Sequence, residues 1–181
     1  MAHRLLEKYN KEVIPVLKKE FNYENVMSIP KITKVVVNIG IGRIVRESKV
    51  VDSMVKDLAM MTGQAPIKTK AKNAIASFKT RKGLEIGLKV TLRGQRMYDF
   101  MDRLINIALP RTRDFRGIKL SSVDKFGNLT MGIKEHIVFP EVVLESSKNI
   151  FGFEVTVVTT AKTKEEAEKL FRLMGFPLAK N

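Results

Sequence analysis

The segment "LEIGLKVTLRG", Leu84 to Gly94, restricts the fold more than any other part of the sequence because its apolar and polar residues alternate. The apolar set is Ile86, Leu88, Val90 and Leu92, and the polar or small set is Glu85, Gly87, Lys89, Thr91 and Arg93. Successive side chains of a strand point to opposite faces of a sheet. A period of two therefore predicts a half-buried strand with one polar face.

Other segments of the chain show the patterns of helices and of further strands. Helical spacing of apolar residues predicts helices over residues 3–21, 48–62, 97–109 and 162–174. Pro15 is expected to kink or divide the first helix, Gly63 to follow the second and Pro110 to end the third. Strands are expected in "KITKVVVNIGIG", "IKTKAKNAIASFK", "KFGNLTMGI" and "FEVTVVTTAKT". The sequence predicts one α+β domain over residues 1–181, an antiparallel sheet with helices packed on one face.

Composition excludes several classes of protein. Cysteine is absent, which rules out disulfides and thiolate metal sites. No apolar run approaches the roughly 20 residues that span a bilayer. The N-terminus lacks the apolar block of a secretion signal. A cytoplasmic protein is expected, and its net charge of +14 favours a polyanionic partner.

The positive charge is concentrated in residues 58–96, where nine basic residues stand against Glu85 alone. Lys68, Lys70 and Lys72 recur at every second position, as do Lys89, Thr91 and Arg93. If the two segments pair as strands, one sheet face is expected to present both sets to a nucleic-acid backbone. The alternative is a charged face that only contacts solvent.

Single residues near this region have two interpretations each. Phe78 is either a base-stacking aromatic or a core residue. Asn38, Gln64 and Asn73 carry amides suited to base edges or 2′-hydroxyls, and a turn role for Asn73 is an equal alternative.

A second candidate surface is "RTRDFRG", Arg111 to Gly117. Its arginines (Arg111, Arg113, Arg116) surround Phe115, a composition that suits RNA or a protein interface. Asp114 lowers the net charge and favours a protein partner. The alternative is an exposed loop with Phe115 turned inward.

Motifs of enzymes and of membrane binders are missing from the sequence. Gly40 and Gly42 lie between a strand and a helix, but Val45 replaces the third glycine of a dinucleotide loop. Two histidines, His3 and His136, are too few for a histidine-based metal site unless carboxylates complete it. The charge lies on strand-like segments rather than on an amphipathic helix, which argues against an anionic-membrane binder. No catalysis, metal or cofactor is expected.

Four long motifs, in order along the chain, resemble the family of bacterial large-subunit ribosomal protein number five. They are "IPKITKVVVNIGIG", "GQAPIKTKAKNAIASFKTRKG", "GLKVTLRGQRMYDFMDRLINIALPRTRDFRG" and "FEVTVVTTAKTKEEAEKLFRLMGFP". The resemblance implies an open-faced sheet like that of RNA-recognition domains. It also implies a structural protein that binds 5S ribosomal RNA and attaches it to the large subunit in the central protuberance. No homo-oligomer is expected.

The resemblance further implies roles for particular residues. Asn38, Gln64, Phe78 and Thr91 match positions associated with 5S RNA recognition. The hairpin tip, Lys79, Thr80, Arg81, Lys82 and Gly83, matches the part that contacts transfer RNA in the P site. The loop Arg111, Thr112, Arg113, Asp114, Phe115 and Arg116 matches the region that faces a protein of the small-subunit head, forming an intersubunit bridge.

Overall fold

The computed structural model of this chain describes residues 4–42, 44–45, 47–78, 80–142 and 150–179. Within them, five strands form one antiparallel sheet in the spatial order β2-β3-β1-β5-β4. The strands are β1 (Ile32–Gly40), β2 (Ile67–Lys70), β3 (Glu85–Leu92), β4 (Leu129–Ile133) and β5 (Phe153–Thr159). The first strand of the chain is therefore the centre of the sheet, and β2 and β4 are its edges.

The α-helices of the described residues are α1 (Arg4–Lys8), α2 (Ile14–Glu20), α3 (Ser48–Thr62), α4 (Gly94–Arg103), α5 (Leu109–Arg111) and α6 (Lys164–Met174), and three short 3-10 helices cover Val26–Ser28, Leu120–Ser122 and His136–Val138. Two π-helical segments join neighbours, Tyr9–Val13 between α1 and α2 and Leu104–Ala108 between α4 and α5. Gly63 ends α3 in the left-handed conformation with φ +67°, and Gly175 ends α6 with φ +98°. Both glycines lie where the sequence predicts helix ends.

Both helical prolines follow a π-helical segment. Pro15 and Pro110 lie in the first turn after Tyr9–Val13 and Leu104–Ala108. Proline has no N–H and its ring clashes with the carbonyl four residues earlier, so a wider turn before it relieves the conflict. The prediction that Pro110 ends its helix is therefore wrong by one residue, since α5 continues to Arg111.

The helices pack on one side of the sheet and enclose the core. Val35, Val37 and Ile39 of β1 are fully buried, and Asn38 between them is exposed. Helix α4 packs against β1 and α3 packs against β3. Phe100 of α4 is fully buried and stacks on Phe139, with the ring centroids 5.6 Å apart. The predicted α+β open-faced sandwich is confirmed.

Candidate nucleic-acid interface

The side of the sheet opposite the helices, here called the open face, carries Asn38 of β1 directly across from Lys89 of β3. Both side chains are exposed. Thr91 lies two residues after Lys89 on the same face, across from Val36. Cross-strand partners project to one side, so these residues form a continuous polar surface. Its ammonium, amide and hydroxyl groups are the types that contact phosphates and base edges.

The open face extends onto β5 and β4, where its chemistry changes. Asn38 also pairs with the exposed Glu154 of β5. Thr156 of β5 and Thr130 of β4 are partners, with their hydroxyl oxygens 3.2 Å apart. Sequence reasoning missed these residues, although the alternation in "FEVTVVT" places Glu154 and Thr156 on one face. The open face is therefore a mixed polar surface and not a uniformly basic one.

The register between β2 and β3 corrects one prediction. Lys68 pairs with the buried Leu88, so it projects to the side opposite Lys89, and its Nζ lies 3.1 Å from Glu85 Oε2. The sequence-based expectation that one face carries Lys68, Lys70 and Lys72 together with Lys89, Thr91 and Arg93 is wrong. Ile67, which is 67% exposed, is the β2 residue that lies beside Lys89. A shift of register at Thr69–Lys70 ends β2, and the exposed Lys72 lies beyond the strand.

Gln64 is held at the end of β3 by the turn that closes α3. Its Nε2 donates to the carbonyl oxygen of Thr91 at 3.2 Å. The Thr62 hydroxyl donates to the Leu58 carbonyl at 2.7 Å and lies 3.0 Å from the Gln64 carbonyl, which fixes the turn. A depression of about 710 Å³ opens here, lined by Gln64, Thr91, Arg93, Gln95, Arg96 and Asp99. The structure thus brings together Gln64, Thr91 and Arg93, three of the residues predicted to contact RNA.

Residues 71–83 form a loop that extends from the β2–β3 edge, here called the basic loop. Ala71 and Gly83 close its base, with Gly83 N–H donating to Ala71 O at 3.0 Å. Ile75 and Thr80 exchange backbone hydrogen bonds of 3.1 and 3.2 Å, and residues 76–78 form the turn beyond this pair. Phe78, in this turn, is 75% exposed, so the core interpretation is wrong. Arg81, Lys82 and Gly83 lie on the arm that returns to the sheet, so the prediction that they form the tip is wrong. Lys79 lies outside the described residues.

The basic residues of this loop are available to a partner. Lys72, Asn73, Arg81, Lys82 and Gly83 are all exposed, and Thr80 is half-buried. The predicted strand over "IKTKAKNAIASFK" covers only Ile67–Lys70, because the chain leaves the sheet at Ala71. A cavity of about 1050 Å³ lies under the loop, lined by apolar residues that include Ile75, Phe78 and Met54. The loop is therefore a projection with an exposed aromatic, and not an extension of the sheet.

The second predicted surface lies beside the opposite edge of the sheet. Arg111, Arg113, Asp114 and Arg116 are exposed and Thr112 is half-buried, with its hydroxyl 3.0 Å from the Ala108 carbonyl. Phe115 is half-buried and packs against the core, as in the alternative interpretation. A groove of about 650 Å³ separates this arginine loop (residues 111–117) from β4. The arginines are therefore remote from β2, at the other edge.

Two family models match almost the whole chain. The model described as "Ribosomal protein L5" matches residues 25–81, and that of the "ribosomal L5P family C-terminus" matches residues 85–178. The large ribosomal subunit protein uL5 of Desulforamulus reducens is 55% identical over 98% of this chain and 98% of its own. The uL5 protein of Mesoplasma florum is 52% identical over 99% of this chain and all of its own. The chain belongs to the ribosomal protein L5 family.

Membership of the L5 family makes the chain a structural, non-enzymatic constituent of the large ribosomal subunit that binds ribosomal RNA. In bacteria that subunit is cytoplasmic, as expected. Among the described residues no helix has the length and apolar character needed to cross a bilayer. Nor do these residues contain a cluster of three or more side chains able to hold a metal ion.

His136 is a buried histidine, and its surroundings predict that the stability of the folded protein depends on pH. Its Nε2 lies 3.8 Å from Asp57 Oδ2, and its Nδ1 accepts from the Phe151 N–H at 3.3 Å. Burial lowers the pKa of His136 below its ordinary value of 6.5, although Asp57 opposes the change. As the pH falls through the unfolded value, the unfolded chain binds a proton that the folded protein does not, so stability decreases.

The free energy of unfolding is therefore expected to fall by up to about 1.4 kcal/mol per pH unit as the pH decreases below the ordinary histidine value of about 6.5. Chemical denaturation of the unchanged protein and of His136→Gln over this range measures the effect. The free energy of unfolding of the variant is expected to depend less steeply on pH. His3 is present in both proteins, so it does not contribute to the difference. Parallel curves for the two proteins would assign the pH dependence to other groups.

Proposed function

We propose that this chain binds 5S ribosomal RNA through the open face and the basic loop and thereby helps attach that RNA to the large subunit in the central protuberance. The observation that carries the proposal is the exposed pair Asn38 and Lys89, continuous with Thr91 and Gln64. RNA-recognition-type sheets bind unpaired bases on an exposed face by hydrogen bonds and by stacking on aromatic side chains, and in this chain the exposed aromatic, Phe78, lies on the loop beside the face. Membership of the L5 family and the net charge of +14 support it.

The 5S contacts are divided between two parts of this surface. Asn38, Lys89 and Thr91 supply hydrogen bonds and charge on a rigid sheet, which suits the recognition of a folded RNA. Phe78 supplies a ring for stacking, and Gln64 offers its remaining hydrogen-bonding capacity beside Arg93. Lys70, Lys72 and Asn73 flank the surface from the β2 edge. Lys68, on the other side of the sheet, adds long-range attraction to the phosphates rather than a direct contact.

The segment from Lys79 to Gly83 contacts transfer RNA in the P site. Arg81 and Lys82 are exposed between the Ile75–Thr80 pair and the base of the basic loop, and Gly83 is exposed at the base itself. The arginine loop contacts a protein of the small-subunit head. Its location beside β4, at the other edge from the basic loop, leaves it accessible when the open face is occupied.

Binding of the purified protein to 5S RNA across a salt series tests the proposal. A slope of log affinity against log salt of about −3.5 or steeper is expected, because each neutralised phosphate contributes about 0.7–0.9 and five contacts are anticipated. The affinity for 5S RNA is expected to exceed that for an unrelated RNA of equal length. Equal affinity for both RNAs at every salt concentration would contradict the proposal.

The variant Arg111→Ala/Arg113→Ala is the matched control, because it removes two positive charges beside β4, at the opposite edge of the sheet from the basic loop. Its specific 5S affinity is expected to stay within about threefold of that of the unchanged protein, since distant charges act only through screened attraction. A collapse of 5S binding in this folded variant would transfer the RNA site to the arginine loop.

A further inference from the structure

A second exposed aromatic lies outside every surface described so far. Phe126 occupies the turn that precedes β4 and is 65% exposed. The Nζ of Lys125 lies 5.2 Å from the centroid of its ring. This is a cation–π contact, which holds the ammonium over one face of a ring that is otherwise largely exposed. Phe126 is not a member of the hydrophobic core that the described residues form.

The turn that carries Phe126 is fixed by hydrogen bonds. Asp124 Oδ1 accepts from the N–H groups of Phe126 and Asn128 at 2.9 and 2.8 Å. Its Oδ2 accepts from Asn128 Nδ2 at 2.9 Å, so both carboxylate oxygens are occupied inside the turn. The Thr159 hydroxyl donates to the Gly127 carbonyl at 2.7 Å and ties the turn to β5.

Packing at Gly127 fixes the turn further. Gly127 has φ +77°, and a Cβ added there would lie 2.7 Å from the Cβ of Ala161. Only glycine fits this conformation against Ala161 and Ala167. The backbone around Phe126 is therefore already ordered, and a ligand that contacts the ring loses little conformational entropy in ordering it.

Charged groups of both signs lie near the turn, since three lysines stand there with Asp124 and with Glu165 and Glu166 of α6. Asp124 is the acid of the turn, and its oxygens are taken up by the three hydrogen bonds above. Lys125 stands over the ring, and the exposed Lys162 directly follows Ala161, which packs against Gly127. The exposed Lys31 is tied to Thr160 at the same end of the sheet. An aromatic surface flanked by ammonium groups matches a nucleotide, with a flat base and a phosphate.

We propose that Phe126 and Lys125 form a stacking site for an unpaired nucleotide of ribosomal RNA. Phe126 contacts the base and Lys125 its phosphate. The turn joins edge strand β4, whereas Phe78 follows the opposite edge strand β2, so the two aromatics serve separate stretches of RNA. The site does not depend on the proposed 5S surface.

Binding to a single-stranded oligouridylate and to an RNA duplex of equal length tests the stacking. Phe126→Ala is expected to weaken the single-strand affinity by about fivefold or more, because an aromatic ring stacked on a base contributes on that order. The salt slope is expected to stay unchanged, since Phe126 carries no charge. Lys125→Ala is expected to reduce that slope by about 0.7. Phe126→Tyr keeps the ring and is expected to retain the affinity.

A photo-crosslinking phenylalanine analogue at position 126, carried into assembled large subunits, identifies the partner. A crosslink to a ribosomal RNA nucleotide is the expected result, and sequencing the product distinguishes 5S RNA from the larger RNA. Crosslinks to protein alone, or no crosslink to RNA, would overturn the proposal. An unchanged single-strand affinity of Phe126→Ala would overturn it too, whatever the outcome of the 5S experiment.

Discussion

The variant Asn38→Ala/Lys89→Ala/Thr91→Ala is expected to bind 5S ribosomal RNA about 100-fold more weakly than the unchanged protein, since three polar contacts of about 1 kcal/mol each are lost. The three side chains share the open face, and none of them belongs to the core. Their removal therefore leaves the fold intact. The loss of the Lys89 ammonium is also expected to reduce the salt slope by about 0.7–0.9.

Lys56→Ala provides the charge-matched control for this variant. Lys56 is an exposed residue of α3, on the helical side of the sheet. Its removal costs one positive charge, as the removal of Lys89 does, but leaves the open face unchanged. Filter binding or calorimetry measures the affinity of both variants for 5S RNA, first at one salt concentration and then across a salt series. Equal losses in the two proteins would mean that binding depends on net charge and not on the open face.

Phe100→Ala is expected to lower the free energy of unfolding by about 3–5 kcal/mol. Phe100 is fully buried and stacks on Phe139, whose ring lies 6.0 Å from that of Phe153 in β5. The ring thus joins α4 to the sheet, and its removal leaves a cavity among aromatics that cannot collapse into it. For a chain of this length the midpoint of thermal unfolding is expected to fall by roughly 10 °C.

Phe126→Ala is the matched control, because it makes the same chemical change at an exposed site. Its free energy of unfolding is expected to change by less than about 0.5 kcal/mol. Urea denaturation, followed by circular dichroism, measures the free energy of unfolding of both variants. Similar losses in the two proteins would show that Phe100 packs more loosely than its burial indicates.

The alternating pattern of β3 predicts its faces correctly, because a strand with one buried side must keep its register of apolar residues. The register between β3 and its neighbour β2 cannot be predicted in the same way. A slip of one residue exchanges the two faces of a strand, and β2 has no run of apolar residues that would fix its pairing. A register shift separates the two lysines of β2, since Lys68 pairs with Leu88 and Lys70 with Glu85, and local sequence cannot tell which face each of them joins.

Phe78 and Phe115 show a second limit of prediction. Each is a single phenylalanine among basic residues, and periodicity assigns neither to a face. The structure exposes Phe78 and packs Phe115 against the core. The difference arises from tertiary contacts, because the arginine loop follows α5 and is held near the core by the pairing of Ile118 with Leu178. Among the described residues of the basic loop, the backbone hydrogen bonds that close it onto the β2–β3 edge lie at its base, at Ala71, Gly83 and Leu84.

The order of strands has a consequence for synthesis of the chain on the ribosome. The central strand β1 emerges early, but its partner β5 lies near the C-terminus, and the Lys31 N–H reaches the Thr160 hydroxyl 129 residues away. Contacts this distant in sequence form late and slow the folding of a domain. A nascent chain that has made only β1, β2 and β3 holds its basic residues on an unfinished sheet. Asn38, Lys89 and Thr91 already lie on those strands, but β1 has no partner on its other side until β5 is released, so the surface is supported by a complete sheet only then.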